Sequence, residues 1–348
     1  MPVDETRRNA AKKILESSGY TMIEFLGQGG YGTVFKCKNS SGELIAARVV
    51  SGDSSTTIAE REVEDIFRKI KPVGSKLKPD RQFYKYLNIP TRSGHNKTSG
   101  DWFITESALA EGDLEEKIVR ISEESPIKAK EFMKNGVIKK LNEVRRIFKN
   151  ALKGLKALHD RGLVHLDIKP ANILRIEATG KLGKKYKYQL SDFGSMVTVS
   201  QVKVKAKGLK GKIGDLKEFI KSISQRGTDI YFPPDFKDLE RCSDEKSILN
   251  ALKHIEKVDI YALGVTMYEI YNSIMWPGSS WRKADLGYLK ERRYSKLVKG
   301  FRLRMHPKEE ELLEAIAECI EDNPMSRPNV DALLALPIIS KEIPFDKA

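Results

Sequence analysis

Two short segments of the chain bring carboxylates, an amide and an ammonium group together at close spacing. The first is His165–Asn172, which reads HLDIKPAN, and the second is Asp192–Gly194, which reads DFG. Transfer of a phosphoryl group from a nucleotide requires an acid that orients a hydroxyl, oxygen ligands for a divalent metal ion, and a cation that neutralises charge. The two segments therefore predict a phosphoryl-transfer site.

A glycine-rich segment near the start of the chain could also contact phosphates. It carries Gly27, Gly29 and Gly32 within the sequence LGQGGYGTV. The residues after Gly32 favour a strand, whereas in a dinucleotide-binding fold the third glycine opens a helix. We therefore predict a β-hairpin whose backbone lies against phosphates, with a glycine-rich turn that holds no ligand as the alternative.

These motifs resemble those of the eukaryotic-type Ser/Thr protein kinase domain, over roughly residues 20–340. The resemblance implies that Asp167 orients the substrate hydroxyl and that Lys169 stabilises the γ-phosphate of ATP. Asn172 and Asp192 would ligate Mg²⁺, a hard cation that prefers oxygen ligands. The acceptors would be Ser and Thr residues of protein substrates.

The same resemblance implies which residues bind ATP. Thr105 would stand beside the adenine, and Asp113 would lie near the ribose unless it only caps the following helix. The backbone of Glu106 and Ala108 would hydrogen-bond the adenine edge. The side chains of Val34, Ala46 and Leu174 would enclose the adenine ring. The full set of implied ATP-binding residues is Gly27, Gly29, Gly32, Val34, Ala46, Arg48, Glu106, Ala108, Asp113 and Leu174.

Arg48 stands where the family has a lysine that contacts the phosphates and pairs with a helix glutamate. Glu62 best matches that glutamate, with Glu60 and Glu64 as alternatives, so the implied catalytic set is Asp167, Lys169, Arg48 and Glu62. Arginine keeps the charge but presents a wider, planar group. Three interpretations stay open: a native pseudokinase that acts as a nucleotide-binding regulatory scaffold, a kinase with adapted geometry, or an introduced Lys→Arg change. Nucleotidyl transfer on the same fold is a further alternative.

Composition narrows the class of protein. The 348 residues carry a formal net charge of +14, yet no aromatic-interleaved basic motif or zinc-finger pattern indicates nucleic-acid binding. No apolar run approaches the ~20 residues that span a bilayer. Three scattered cysteines are typical of reduced thiols, so we expect a cytoplasmic protein, with the nucleus left open.

Hydrophobic patterning predicts the elements that must hold these residues. Strands are expected at 21–26, 33–39, 43–50, 83–87 and 102–105, with one helix around 63–70. Helices dominate after Gly112, including 143–159, 258–271 and 309–320. We therefore predict an α+β, bilobal, protein-kinase-like fold. Residues 1–106 would comprise an N-terminal extension, with a basic helix over 1–17, and a small antiparallel-sheet, nucleotide-binding N-lobe with one helix. Residues 107–348 would form the larger, mainly helical C-lobe with the catalytic loop, the activation segment and the substrate-binding helices.

The segment from Asp192 to Pro234 is long and rich in lysine and glycine. It predicts a mobile, solvated loop with one short helix at 215–224, or alternatively a docking surface for an acidic protein partner. Leu166 replaces the arginine that often binds a phosphate on this segment, a non-RD arrangement, so loop phosphorylation should not be required.

The resemblance also implies three anchoring contacts outside the reacting groups. Thr228 would bond Asp167 and Lys169. Asp235, in place of the usual glutamate, would pair with Arg327. Asp259 would hold the backbone of the catalytic loop.

Overall fold

The computed structural model describes residues 4–29, 32–51, 85–89, 92–96, 102–123, 136–180, 183–275 and 307–344. The chain divides into two compact units. The first comprises residues 1–111, 176–185 and 191–194, and the second comprises residues 112–175, 186–190 and 195–348. The assignment of residues 1–106 and 107–348 to separate domains stays a prediction.

Within the described residues of the first unit, five strands form an antiparallel sheet in the order β1-β2-β3-β5-β4. Alternate residues of the central strands are buried, as the two-residue period of a strand requires, and helix α1 covers that face. The elements are α1 (Glu5–Ser17), β1 (Thr21–Gly29), β2 (Gly32–Lys38), β3 (Leu44–Ser51), β4 (Arg92–Asn96) and β5 (Trp102–Ala108).

The fourth strand was predicted at 83–87, and this prediction is wrong. Residues 85–89 form a turn and an isolated bridge, and the strand beside β5 is Arg92–Asn96, which pairs from Arg92 to Glu106 through Asn96 to Trp102. It lies at the edge of the sheet. An edge strand needs no apolar alternation and is commonly polar, so hydrophobic patterning could not identify it. Residues 83–84 and the helix expected around 63–70 lie outside the described residues.

The second unit is mainly helical, which together with the sheet confirms the predicted α+β class. Helix α8 is buried nearly all round and packs against α3 and α9. The helices are α2 (Leu114–Glu123), α3 (Val137–His159), α4 (Val199–Gly208), α5 (Ile213–Ser224), α6 (Pro234–Asp238), α7 (Glu245–Lys253), α8 (Glu256–Met275), α9 (Pro307–Cys319), α10 (Val330–Ala335) and α11 (Pro337–Ser340).

Five further strands lie in the described residues after Glu111. They are β6 (Gly112–Asp113), β7 (Leu163–Val164), β8 (Ile173–Gly180), β9 (Gly183–Leu190) and β10 (Val197–Thr198). Strand β10 pairs with β7 just before the HLDIKPAN segment. None of the helices in the described ranges has the length and apolar character needed to cross a bilayer.

The lysine-rich segment is not the solvated loop that was predicted, although the short helix expected at 215–224 is confirmed as part of α5. Thr198 and Gln201 form a capping box that starts α4, and α5 follows after a short turn. Val202, Leu216 and Ile220 are buried in one hydrophobic cluster with residues of α6, α7 and α8. The apolar residues recur at helical spacing, so the lysines solvate one face of packed helices while the other face is buried.

The three cysteines form no disulfide, as predicted. Burial raises the pKa of the Cys37 thiol to about 11 and also raises the pKa of Cys319.

A close helix crossing makes Gly264 one of the glycines that the second unit cannot replace without strain. A Cβ on Gly264 of α8 would lie 2.6 Å from Cβ of Cys319 and 2.7 Å from Cγ2 of Ile320. We expect Gly264→Ala to lower the free energy of unfolding by about 1–3 kcal/mol through overpacking, measured by urea denaturation. The control is Gly214→Ala in α5, where a Cβ meets nothing within 4 Å and stability should hold or rise. Equal effects would contradict the account.

Candidate active site

The backbone before Asp167 is held by a carboxylate of α8. Asp259 is fully buried, and its two oxygens accept hydrogen bonds at 2.8 Å from the backbone N–H groups of His165 and Leu166. His159, at the end of α3, contacts the same carboxylate at 2.9 Å. Leu166 takes a left-handed conformation with φ of 67°, which costs energy in a non-glycine residue and is retained because both flanking amides are bonded. The expected anchoring by Asp259 is confirmed.

Asp167 lies at the centre of a network of three residues. Its Oδ1 accepts hydrogen bonds from the backbone N–H of Thr228 at 2.9 Å and from the Thr228 hydroxyl at 2.7 Å. The Lys169 ammonium lies 2.8 Å from Oδ2 of Asp167 and 2.8 Å from the Thr228 hydroxyl. These contacts place a carboxylate and an ammonium side by side in one fixed geometry, and the expected bonding of Thr228 to both residues is confirmed.

Asn172 is also oriented by Asp167. Its Nδ2 donates to the backbone oxygen of Asp167 at 2.7 Å and to the carboxylate at 3.0 Å. These bonds use the amide nitrogen, so the group of this side chain that suits a hard cation is the amide oxygen. The donor set of Asn172 therefore fits the predicted role toward Mg²⁺, which stays a prediction.

The segment that follows α5 packs tightly onto the loop that carries Asp167. A Cβ on Gly227 would lie 2.4 Å from the backbone oxygen of Leu166, so only glycine fits there. Further along, Asp235 pairs with the almost fully buried Arg327 guanidinium, which also donates from Nε to the backbone oxygen of Glu321 at 2.9 Å. The shorter carboxylate of aspartate does reach the arginine, as expected.

In the first unit, Gly27 and Gly32 of the hairpin differ in whether the fold requires glycine there. Gly32 has φ of 146°, and a Cβ there would lie 2.8 Å from the backbone oxygen of Val49 and 3.1 Å from Nε of Arg48. Gly27 has no left-handed φ, and a Cβ there would meet nothing within 4 Å. Gly29 ends β1 opposite Gly32. The fold itself explains the glycine at 32 but not the glycine at 27.

Arg48 lies in β3 next to the hairpin and reaches the DFG aspartate. Its guanidinium nitrogen Nη1 is 3.3 Å from Oδ1 of Asp192, with both side chains largely buried. Asp192 itself has a left-handed φ of 58°. The predicted partner of Arg48, Glu62, lies outside the described residues, as do the alternatives Glu60 and Glu64.

Strand β5 carries the residues expected beside the adenine. Thr105 and Glu106 are buried, and Thr105 lies opposite Arg48 in the sheet register. The carbonyl of Ala108 accepts a hydrogen bond from Nδ2 of Asn88 at 3.3 Å. Ala46 pairs with the residue between Glu106 and Ala108, while Val34 lies opposite Arg48 on β2. The first unit thus brings together this part of the predicted set.

Asp113 and Leu174 lie in the second unit and pair in register between β6 and β8. The Asp113 carboxylate accepts a hydrogen bond from the Glu116 backbone N–H at 2.8 Å, so it caps α2. Burial raises the pKa of this carboxyl above its ordinary value, although the Glu116 hydrogen bond opposes the shift. The capping alternative is thus observed, and the ribose contact stays a prediction.

Sequence reasoning missed His159 and Ser195. The Ser195 hydroxyl donates to the backbone oxygen of Arg226 at 2.7 Å and so ties the residue after DFG to the chain before Thr228. Only the position of His159 in the last turn of a helix that precedes the loop hinted at its contact with Asp259.

Comparisons with known proteins agree with the geometry. The family model described as protein kinase domain matches residues 20–339. The chain is similar to the serine/threonine-protein kinase KIC1 of Saccharomyces cerevisiae, with 25% identity over 91% of this chain and 23% of the yeast protein. It is also similar to mitogen-activated protein kinase kinase kinase 1a of Physcomitrium patens, with 25% identity over 92% of this chain and 33% of the moss protein. The chain therefore spans a third or less of these relatives.

The Asp259 contacts predict a large cost for a nearly isosteric change. In Asp259→Asn the amide NH₂ faces a backbone N–H that loses its acceptor, so we expect the free energy of unfolding to fall by about 1–3 kcal/mol. The matched control is Asp331→Asn, which alters an exposed pair with Lys156 at 2.8 Å worth about 0–1 kcal/mol. Urea denaturation measures both variants, and an Asp259→Asn protein as stable as the control would refute the anchoring role.

Proposed function

This chain belongs to the protein kinase family, and we propose from that premise that it transfers the γ-phosphoryl group of ATP to Ser or Thr hydroxyls of proteins. The observation that carries the proposal is the orientation of Asp167 by Thr228 and Lys169. Oδ1 of this carboxylate accepts a hydrogen bond from the Thr228 hydroxyl, and the Lys169 ammonium lies 2.8 Å from Oδ2.

Each group in that network has a step to perform. The Asp167 carboxylate orients the substrate hydroxyl and accepts its proton as the oxygen attacks phosphorus. The Lys169 ammonium stabilises the negative charge on the γ-phosphoryl group as its bond to the leaving ADP breaks. Because Asp259 and Thr228 hold these groups in place, little reorganisation is needed at the moment of reaction.

ATP and Mg²⁺ are part of the proposal. Mg²⁺ would supply positive charge to the phosphate oxygens, and the oxygens of Asn172 and Asp192 suit such a hard cation. Gly27 supports a phosphate role for the hairpin, since neither backbone conformation nor packing requires glycine there. A side chain at this position would instead obstruct a ligand that approaches the backbone.

A pseudokinase is the second candidate, and the ion pair between Arg48 and Asp192 favours it. A guanidinium bonded to this carboxylate competes with a metal ion for the same oxygens. Arginine is also wider than lysine, and an error near 1 Å in the position of the phosphates can cost about a hundredfold in rate. We therefore propose a kinase whose activity Arg48 impairs.

The same proposal includes a cytoplasmic location, which the free thiols support.

The ion pair between Arg48 and Asp192 allows a direct test of whether arginine impairs the activity. We expect Arg48→Lys to give a clearly active Ser/Thr kinase, at least about tenfold faster than the unaltered chain, because lysine is a compact point charge. Autophosphorylation and phosphorylation of one acidic and one basic generic protein measure the rate. Binding of ATP with and without Mg²⁺ is measured in parallel.

Asp167→Asn serves as the blank in that assay. An Arg48→Lys protein no faster than this blank would establish the pseudokinase. An unaltered chain as fast as Arg48→Lys would refute the geometric argument about arginine. Failure of both forms to bind ATP at millimolar concentration would count against both candidates.

We further propose that helices α4 and α5 bind an acidic segment of a partner or substrate protein. Residues 199–224 contain seven lysines and two acidic residues. The apolar face of both helices is buried, so the lysines lie on a fixed surface. Lys203, Lys205, Lys207, Lys210 and Lys212 are exposed, and Lys205 also lies over the Phe219 ring at 4.4 Å.

Charge removal tests this surface. We expect the quadruple change to glutamine at Lys203, Lys207, Lys210 and Lys212 to weaken binding of a polyglutamate probe several-fold at low salt, and the difference to shrink as salt screens it. The control changes four exposed lysines elsewhere, Lys139, Lys187, Lys253 and Lys341. Fluorescence anisotropy measures both, and equal losses would show that net charge alone attracts the probe.

A further inference from the structure

Helix α1 is built into the core of the first unit. Ala11, Ile14 and Leu15 are at most 2% exposed and pack in one cluster with buried residues of β2 and β3, among them Phe35 and Val49. The helix begins at an N-cap, where the Asp4 side chain accepts from the Arg7 backbone N–H at 3.1 Å. Helix α1 is thus fixed along its length to the strands that carry the hairpin glycines and Arg48.

The N-terminal end of α1 is bonded to the glycine hairpin. Oε1 of Gln28 accepts from the Asp4 backbone N–H at 2.7 Å, and Nε2 of Gln28 donates to the Asp4 carbonyl at 3.3 Å. The same Nε2 lies 3.2 Å from the hydroxyl of Thr33 on β2. Gln28 stands between Gly27 and Gly29, so one side chain connects both strands of the hairpin to the start of the helix.

The C-terminal end of α1 is bonded to the strand expected beside the adenine. Gly19 has φ of 86°, and the N–H groups of Gly19 and Tyr20 donate to the carbonyls of Glu16 and Leu15, a Schellman motif. This turn leads directly to Tyr20, whose hydroxyl lies 2.6 Å from Oε1 of Glu106. Glu106 is 3% exposed and follows Thr105 on β5.

We propose that α1 is a strap that positions both nucleotide-binding segments of the first unit, with Gln28 and Tyr20 as its positioning residues. Release of α1 at either end would loosen the hairpin or β5 and weaken nucleotide binding, so any event that displaces the helix would regulate the protein. The nucleotide part of this inference rests on the proposed function, whereas the mechanical part does not.

Two variants test the two ends separately. Gln28→Ala removes the side chain that joins Asp4 to the hairpin, and Tyr20→Phe removes only the hydroxyl that meets Glu106. Hydrogen–deuterium exchange without nucleotide should rise in peptides covering β1 and β2 for Gln28→Ala, and in β5 for Tyr20→Phe. Exchange around Asp167 in the second unit should not change. Affinity for ATP with Mg²⁺ should fall by roughly fivefold in each, the equivalent of about one net hydrogen bond.

The control is Gln225→Ala, an exposed glutamine at the end of α5, which should alter neither exchange in the first unit nor affinity. Exchange in β1, β2 and β5 identical to the control would overturn the strap. Raised exchange with unchanged ATP affinity would overturn its control of nucleotide binding. If the unaltered chain binds no ATP, the proposed function fails, and exchange alone still decides whether α1 holds the hairpin.

Discussion

A single buried carboxylate determines the shape of the loop on which the proposed chemistry depends. Asp259 has no exposure to water, and it is tolerated there because two backbone N–H groups and His159 bond to it. Those two amides belong to His165 and Leu166, and their bonds hold Leu166 in its left-handed conformation. The next residue is Asp167, so the direction of its side chain follows from a contact made on α8. The Thr228 and Asn172 contacts in turn depend on that direction.

The parts of the site that could be predicted are those whose motifs resemble a protein kinase domain. Asp167, Lys169 and Thr228 meet as that resemblance implies, and so do Asp235 and Arg327. The alternation in β2 and β3 likewise predicted a sheet with one buried face. Gly227 and Gly32 accompany these motifs because backbone or side-chain atoms occupy the space a Cβ would need.

Other features depend on neighbours far along the chain, and the sequence did not reveal them. Polar β4 is a strand only because β5 offers it an edge. Lysine content suggested a solvated loop with one short helix at 215–224, although Val202 and Ala206 on α4 already had the four-residue spacing of a buried helix face. The contacts from Gln28 to Asp4 and from Tyr20 to Glu106 join residues 24 and 86 positions apart. No local sequence pattern indicates such pairs. Arg48 departs from the family pattern, but no local pattern indicates its contact with Asp192, 144 residues further along the chain.

We propose a phosphotransferase whose catalytic loop is complete and whose third strand carries Arg48 in place of the family's lysine. Site-resolved mass spectrometry of the Arg48→Lys protein, after incubation with Mg²⁺ and ATP labelled separately in the γ-phosphate and the adenosine, tests that claim most directly. It identifies both the group transferred and the side chain that receives it. The account predicts transfer of the γ-phosphoryl label alone, to Ser or Thr. Recovery of the adenosine label on the protein, or of phosphate mainly on Tyr, would contradict it.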